Sequence, residues 1–190
     1  IQLKGVQFMN WSLDLDSGWD QRIPATHHTE TDYARIHLMG MNLVRFGFNY
    51  KTLESDDAPY QYLEDGWAWF DQNVAWAKKH GVYLILDLHV PQGGYQSLLK
   101  GDALWTNEEN QKRLIAMWKA IAERYKNEPQ ILGFDLVNEP CPTLSVDQWK
   151  NLAQKITDAI READKNHILV VEHAFSVKSD WNVPLEKRWF

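Results

Sequence analysis

The sequence predicts an α/β fold on a parallel sheet, in the order β-α-β-α-β-α-β-α-β, and three observations predict it. Apolar runs begin near Leu3, Asn42, Val82, Ile131 and Ile168, and segments with helical spacing fill the gaps between them. Several of the runs are near-continuous rather than alternating, which is how strands covered on both faces read. Strands separated by helices need the long, right-handed crossovers that join parallel neighbours.

The elements follow in order. Behind the first strand, Thr29 is placed to cap a helix with Tyr33 and Ile36 inward, and Gly40 is a residue that tolerates the left-handed backbone past a helix end. The second strand is Asn42-Leu43-Val44-Arg45-Phe46. The next helix carries Trp67, Phe70, Val74 and Ala77 at steps of three and four and stops at Gly81. The third strand is Tyr83-Leu84-Ile85-Leu86-Asp87-Leu88-His89. Thr106-x-x-Glu109 then opens a helix as a capping box, in which each side chain satisfies the other's backbone N–H. The run Ile131 to Val137 is the fourth strand, Ser145-x-x-Gln148 opens the fourth helix, and Leu169-Val170-Val171-Glu172-His173 closes the series.

Composition excludes several functions. At 190 residues the chain has the length of one domain. Its 26 acidic residues against 20 basic ones give a formal charge of -6, and no Lys/Arg block exceeds two residues. A nucleic-acid partner, which needs a clustered basic face, is therefore not expected. No apolar stretch approaches the ~20 residues of a membrane span. The chain opens at Ile1 with no basic and apolar leader, as expected of a processed or excerpted chain. Cys141 is the only cysteine, which excludes an internal disulfide and reads as a small buried side chain.

Chemistry gathers where the strands end. Asn138-Glu139-Pro140 breaks off the fourth strand, Arg45 lies near the end of the second, and His89 closes the third. That carboxyl end is where α/β proteins place ligands. Glu139 is placed to donate a proton, since a carboxyl between apolar walls favours its neutral form. It would otherwise cap the next helix or pair with Arg45. Arg45 also reads as an ion-pair partner of Glu139 or Asp87, His89 as a donor to a backbone carbonyl, and Asp87 as a residue that holds a neighbour.

On the Arg45 strand, Asp87-Leu88-His89 with the following Pro91-Gln92-Gly93-Gly94, and Asn138-Glu139-Pro140, the chain resembles glycoside hydrolase family 5 from Gly5 to about His173. This is the cellulase and mannanase family of retaining β-glycosidases. The resemblance implies an eight-stranded (β/α)8 barrel of the TIM type, normally ~250 residues. The chain would supply about five of its βα units, with residues 1–190 as the N-terminal part of one catalytic domain. It also implies hydrolysis of a β-linked polysaccharide, β-glucan (cellulose) or mannan, without metal or cofactor, and a secreted or periplasmic location. Glu139 would be the acid/base residue and Asn138 would bind the sugar 2-hydroxyl, while Arg45 and His89 order the carboxylates and the bound sugar. The family's nucleophile is a glutamate on the seventh strand, with a His-x-Tyr near the sixth and a tryptophan on the eighth, and none of these has a counterpart here. Glu172 reads as a rim residue shaping the sugar site. The alternative is a replacement second carboxylate, because neighbouring strands lie ~4.8 Å apart and retaining pairs need ~5 to 5.5 Å.

Ten Trp, seven Tyr and seven Phe make the chain aromatic. Trp67, Phe70, Trp118 and Trp149 fall on helical faces and read as core. Trp11, Trp19, Tyr50, Tyr60, Tyr62, Tyr95 and Trp105 fall in apparent loops after strands, where flat apolar faces suit sugar rings, Trp11 foremost. Glu54-Ser55-Asp56-Asp57 reads as a solvated loop wall. His27, His28, His89 and His173 match no zinc spacing, so no metal is expected. Five parallel strands leave two open edges, so self-association is expected unless further strands cover them. A non-catalytic carbohydrate-binding or scaffold half-barrel is the alternative to an enzyme.

Overall fold

The computed structural model describes residues 2–9, 29–96, 100–175 and 177. Among the described residues, five parallel strands form one sheet, side by side in the order in which they occur along the chain. They are β1 (Gly5–Met9), β2 (Leu43–Asn49), β5 (Tyr83–Val90), β6 (Ile131–Asp135) and β7 (Ile168–Val170). Helices α1 (Glu30–Leu38), α2 (Glu64–Lys79), α4 (Glu108–Tyr125) and α5 (Val146–Ala163) make the crossovers, as the sequence predicts. Four short elements among the described residues were not expected: a 3-10 turn (Tyr50–Thr52), strands β3 (Glu54–Ser55) and β4 (Ala58–Tyr62), which pair antiparallel, and helix α3 (Asp102–Thr106).

Both predicted glycine stops hold. Past α1, Gly40 adopts φ 73° and donates to the His37 carbonyl, while Met41 donates to Ile36. Past α2, Gly81 adopts φ 64° and the same two bonds run to Lys78 and Ala77. This is the paired closure that satisfies a helix's last carbonyls. The Thr106 capping box does not form, because α3 takes up Thr106 as its last residue. The cap of α4 is Asn107, whose Oδ1 accepts from the Glu109 N–H at 3.0 Å. At α5 Ser145 is the capping position, but Gln148 reaches past it to the Leu144 N–H at 2.7 Å.

The core lies between the helices and one face of the sheet. Val44, Phe46 and Phe48 of β2, Leu84, Leu86 and Leu88 of β5 and Phe134 of β6 point to that face and are buried. Phe70 of α2 stacks edge-on against Phe48 at 5.0 Å and Phe46 at 5.7 Å, and Trp118 of α4 meets Phe134 at 5.6 Å. Trp118 also donates its indole N–H to the Leu136 carbonyl at 2.9 Å, so one residue both fills the core and ties α4 to the end of β6. Gly133 lets β7 approach β6, since a Cβ there would lie 2.4 Å from the Ile168 carbonyl.

Two expectations about loops fail. Glu54 is fully buried rather than solvated. Its carboxylate accepts from Arg113 Nε (3.1 Å), Gln92 Nε2 (2.9 Å) and the Tyr60 N–H (2.6 Å), tying the β3–β4 hairpin to α4. Arg113 Nη2 adds ionic contact with Glu54 at 3.0 Å and Asp56 at 2.9 Å, off its N–H directions. Tyr50 and Trp105 are buried core, with the Trp105 indole bonded to Gln96 at 2.7 Å, and neither offers a face to a sugar.

Replacing Arg113 with alanine strands the buried Glu54 carboxylate. The expected loss is ~3–5 kcal/mol in urea unfolding, because an unpaired buried charge costs far more than a surface pair is worth. Glu54→Gln combined with Arg113→Met should recover most of it. A loss under ~1 kcal/mol for Arg113→Ala would show that water reaches Glu54.

Candidate active site

Register brings the polar residues of separate strands into layers on the face opposite the core. Gln7, Arg45, Ile85 and Gly133 are paired neighbours in one row, and Gly47, Asp87 and Asp135 in the row two residues on. Side chains two apart share a face. Arg45 therefore extends toward the strand ends beneath Asp87 and Asp135, and Gly47 puts no side chain in its way.

The guanidinium collects three carboxylates. Arg45 Nη1 lies 2.9 Å from Asp87 Oδ2, Nε donates to Asp135 Oδ2 at 2.8 Å, and Nη2 donates to Glu172 Oε1 at 2.8 Å. Nη2 also reaches Asn138 Oδ1 at 3.0 Å and Nη1 reaches Gln7 Oε1 at 3.1 Å. Burial opposes the guanidinium's charge, but Asp87, Asp135 and Glu172 outweigh it and hold the Arg45 pKa above its ordinary value.

Burial also acts on the aspartates. Loss of solvation pushes each carboxyl up to about 7, against the pull of Arg45. Glu139 adds to the rise at Asp87, and Asp87 adds to that at Asp135. Oδ1 of both is buried with no hydrogen-bond partner among the described residues. His89 moves the other way, down to about 3, through burial and then the Arg45 charge. It is thus neutral. Its Nδ1 lies 2.8 Å from Asp87 Oδ2 and its Nε2 3.4 Å from the Tyr95 hydroxyl; with the ring proton on Nδ1, that nitrogen donates to Asp87 and Nε2 accepts from Tyr95. The contact is a hydrogen bond, not an ion pair.

The chain beyond β6 keeps sheet-like bonding before it turns. Leu136 N–H donates to Val170 and Asn138 N–H donates to Leu88, both at 3.1 Å. Glu139 then adopts φ 47°, a left-handed conformation that a non-glycine residue rarely takes. Its N–H donates to Glu172 Oε2 at 2.8 Å. Among the described residues no donor bonds the half-buried Glu139 carboxyl, whose charge bears on Asp87 and His89.

The structure thus brings Arg45, His89, Asn138, Glu139 and Glu172 to one rim. Among the described residues Arg45 pairs with Asp87 rather than Glu139, and His89 Nδ1 bonds the Asp87 carboxyl. Both oxygens of Glu172 are engaged inside the protein. Trp11, Trp19, His27 and His28 lie outside the described residues. Asp135 and Gln7 belong to the site and were missed. The signal for Asp135 was available, as a lone acid inside the apolar run Ile131–Val137 on the face that its register with Asp87 shares. Among the described residues no group of three or more His, Cys, Asp or Glu could hold a metal ion, and no helix is long and apolar enough to cross a membrane.

Comparison with known proteins adds four findings. The Cellulase (glycosyl hydrolase family 5) model matches residues 2–185. Endoglucanase C of Acetivibrio thermocellus is 35% identical over 146 residues, covering 77% of this chain and 42% of that protein. Among solved structures, endoglucanase Cel5A from the hyperthermophilic Thermotoga maritima shares the fold with a TM-score of 0.70 at 23% identity, over 98% of this chain and 55% of that one. Pseudomonas stutzeri endoglucanase Cel5A, solved in complex with cellobiose, matches with a TM-score of 0.62 at 25% identity over 85% of this chain and 47% of that one. The chain spans about half the length of these proteins.

The Arg45 cluster predicts a pH-dependent mutational cost. Without the guanidinium, Asp87 and Asp135 rise further above their unfolded values. A carboxyl raised on folding loses stability as pH climbs from its unfolded pKa through its folded one. Arg45→Met should therefore cost ~3–5 kcal/mol at pH 8 and markedly less at pH 5, read from urea midpoints. Equal costs at the two pH values would show that the aspartates stay ionised throughout.

Proposed function

The chain belongs to glycosyl hydrolase family 5, the cellulase family, and from that premise we propose that residues 1–190 are the N-terminal part of a retaining β-glycosidase barrel. It would act on a β-linked glucan or mannan with Glu139 as general acid/base. One observation carries the reading: of the four carboxylates gathered at the strand ends, Glu139 alone has a side chain that no donor of the described residues engages. Asp87, Asp135 and Glu172 are all bound to Arg45. A group that must lend a proton to a leaving oxygen and later take one from water needs that freedom. Asn138 beside it, with its Oδ1 held by Arg45, keeps its amide group in a fixed direction for a sugar hydroxyl. Neutral His89, held between Asp87 and Tyr95, adds no positive charge to the rim. The cellobiose held by the Pseudomonas stutzeri enzyme supports a β-linked sugar as the class of ligand.

Cleavage with retention needs a second carboxylate ~5 to 5.5 Å from the first. The carboxylates bound to Arg45 are poor candidates, because freeing one would leave the half-buried guanidinium short of a partner. The reading therefore places the nucleophile on a strand beyond these five. Strands β1 and β7 each have one partner among the described residues, and Ile168, Val171 and Phe175 are exposed near β7. Such edges and patches are surfaces that further strands, or a second copy, would cover.

Glu139→Gln in the complete barrel should lower kcat on unactivated polysaccharide ~10²-fold or more while leaving KM within a few-fold, since Gln keeps the shape but donates no acidic proton. Undiminished turnover would remove Glu139 from the role. Chain 1–190 alone should release no reducing sugar and should sediment as an associated species. Adding the remaining strands, in cis or as a separate fragment, should give a monomer that cleaves. A monomeric 190-residue chain that hydrolyses β-glucan would overturn the need for further strands.

A further inference from the structure

We propose that Glu172 is a positioning residue that acts through Glu139: its carboxylate holds the Glu139 backbone in the left-handed conformation that aims the acid/base side chain. The inference rests on the acid/base reading of Glu139 and goes beyond it in assigning how that side chain is aimed.

Five observations carry it. Glu139 stands at φ 47° immediately before Pro140, whereas a residue preceding proline favours an extended backbone near φ -120°. A conformation of this kind persists only where its surroundings over-determine it. Here the surroundings are visible on both sides of the peptide. The Glu139 N–H is caught by Glu172 Oε2 at 2.8 Å, a charge-assisted bond, and the Pro140 carbonyl accepts from the Phe175 N–H at 2.8 Å.

Glu172 is itself fixed. Its other oxygen accepts from Arg45 Nη2 at 2.8 Å, and its main-chain carbonyl accepts from the Trp149 indole at 2.8 Å, which anchors the residue to α5. Each carboxylate oxygen thus makes one internal bond and the backbone a third, so the place of the side chain is set by the protein itself. The carboxylate has the geometry to transmit the position of Arg45 to Glu139. The three carboxylates that Arg45 holds thus divide in their tasks. Asp87 also holds the neutral His89 ring, whereas Glu172 sets the acid/base backbone.

The role has a kinetic signature. A misplaced proton donor slows only reactions whose leaving group needs the proton. A lost sugar contact raises KM for every substrate, and a loosened fold lowers all rates alike. In the complete enzyme, Glu172→Gln puts an amide N–H opposite either the Glu139 N–H or Arg45. We expect kcat on a β-linked oligosaccharide to fall ~10- to 100-fold, the size of penalty a displacement of about 1 Å can bring. KM should stay within about twofold. On an aryl glycoside with a strongly acidic phenol, the glycosylation step should slow by less than about threefold. Should Glu172→Gln not fold, Glu172→Asp carries the same comparison, because it keeps the charge at Arg45 but lies one methylene short of the Glu139 N–H. Equal losses on both substrates, a rise in KM alone, or no loss would each overturn the assignment. Glu139→Gln serves as the reference. If that variant itself shows no dependence on the leaving group, the acid/base reading fails and the inference falls with it.

Discussion

One guanidinium sets the architecture of the rim. Arg45 takes carboxylates from β5, from β6 and from the segment after β7, so three chain segments that are far apart in sequence share a single cation. The planar fork of arginine makes this possible, because it directs five donors in fixed directions and stays charged when buried. A lysine ammonium is a point charge on a flexible stem and does not present that fixed fork. The sheet packs its apolar face against the helices, so its other face is free to be polar. The polar groups buried there need partners, and Arg45 supplies one to Asp87 and one to Asp135.

Charge arithmetic then explains the protonation pattern. Asp87, Asp135 and Glu172 set three potential negative charges against one positive charge, and Glu139 adds a fourth at the rim. A protonated His89 would improve the balance, but burial and the adjacent Arg45 charge keep it neutral. The remaining relief is to hold protons on the aspartates. This is the direction in which both are pushed, and each retains a buried Oδ1 that no described donor reaches. Buried like charges in adjacent register positions titrate together, so the pair is best regarded as one site.

Much of this was legible in the sequence wherever the cause is local. The left-handed backbone past α1 and α2 needs a residue such as glycine, and Gly40 and Gly81 announce it. The strand-end position of Asn138-Glu139-Pro140 follows from the break in an apolar run. Local reading failed where two local signals competed, as when α3 absorbed Thr106 and passed the cap to Asn107. It failed more broadly where a distant partner decides the outcome. Glu54 looks solvated beside Ser55, Asp56 and Asp57 until Arg113, 59 residues away, is folded over it. Glu172 lies 127 residues from Arg45, and no periodicity reveals that its two oxygens are already engaged. Trp105 shows the same for aromatics, since its exposure depends on Gln96 and on the helix packing around it.

The separation between held and free groups bears on how such a site can work at all. A general acid must change its protonation state twice in a retaining cycle, so its carboxyl cannot be locked into strong internal bonds. Yet its donor atom must be placed to within a fraction of an ångström. Holding the side chain would satisfy the second demand and defeat the first. At Glu139 the internal bond is made instead at the backbone N–H, and the conformation it stabilises is one the residue would not adopt by itself. Position is thereby fixed one atom before the side chain begins, and the carboxyl stays available. The same reasoning explains the choice of a carboxylate at position 172: a neutral acceptor would hold the N–H more weakly, and would leave Arg45 with one carboxylate fewer.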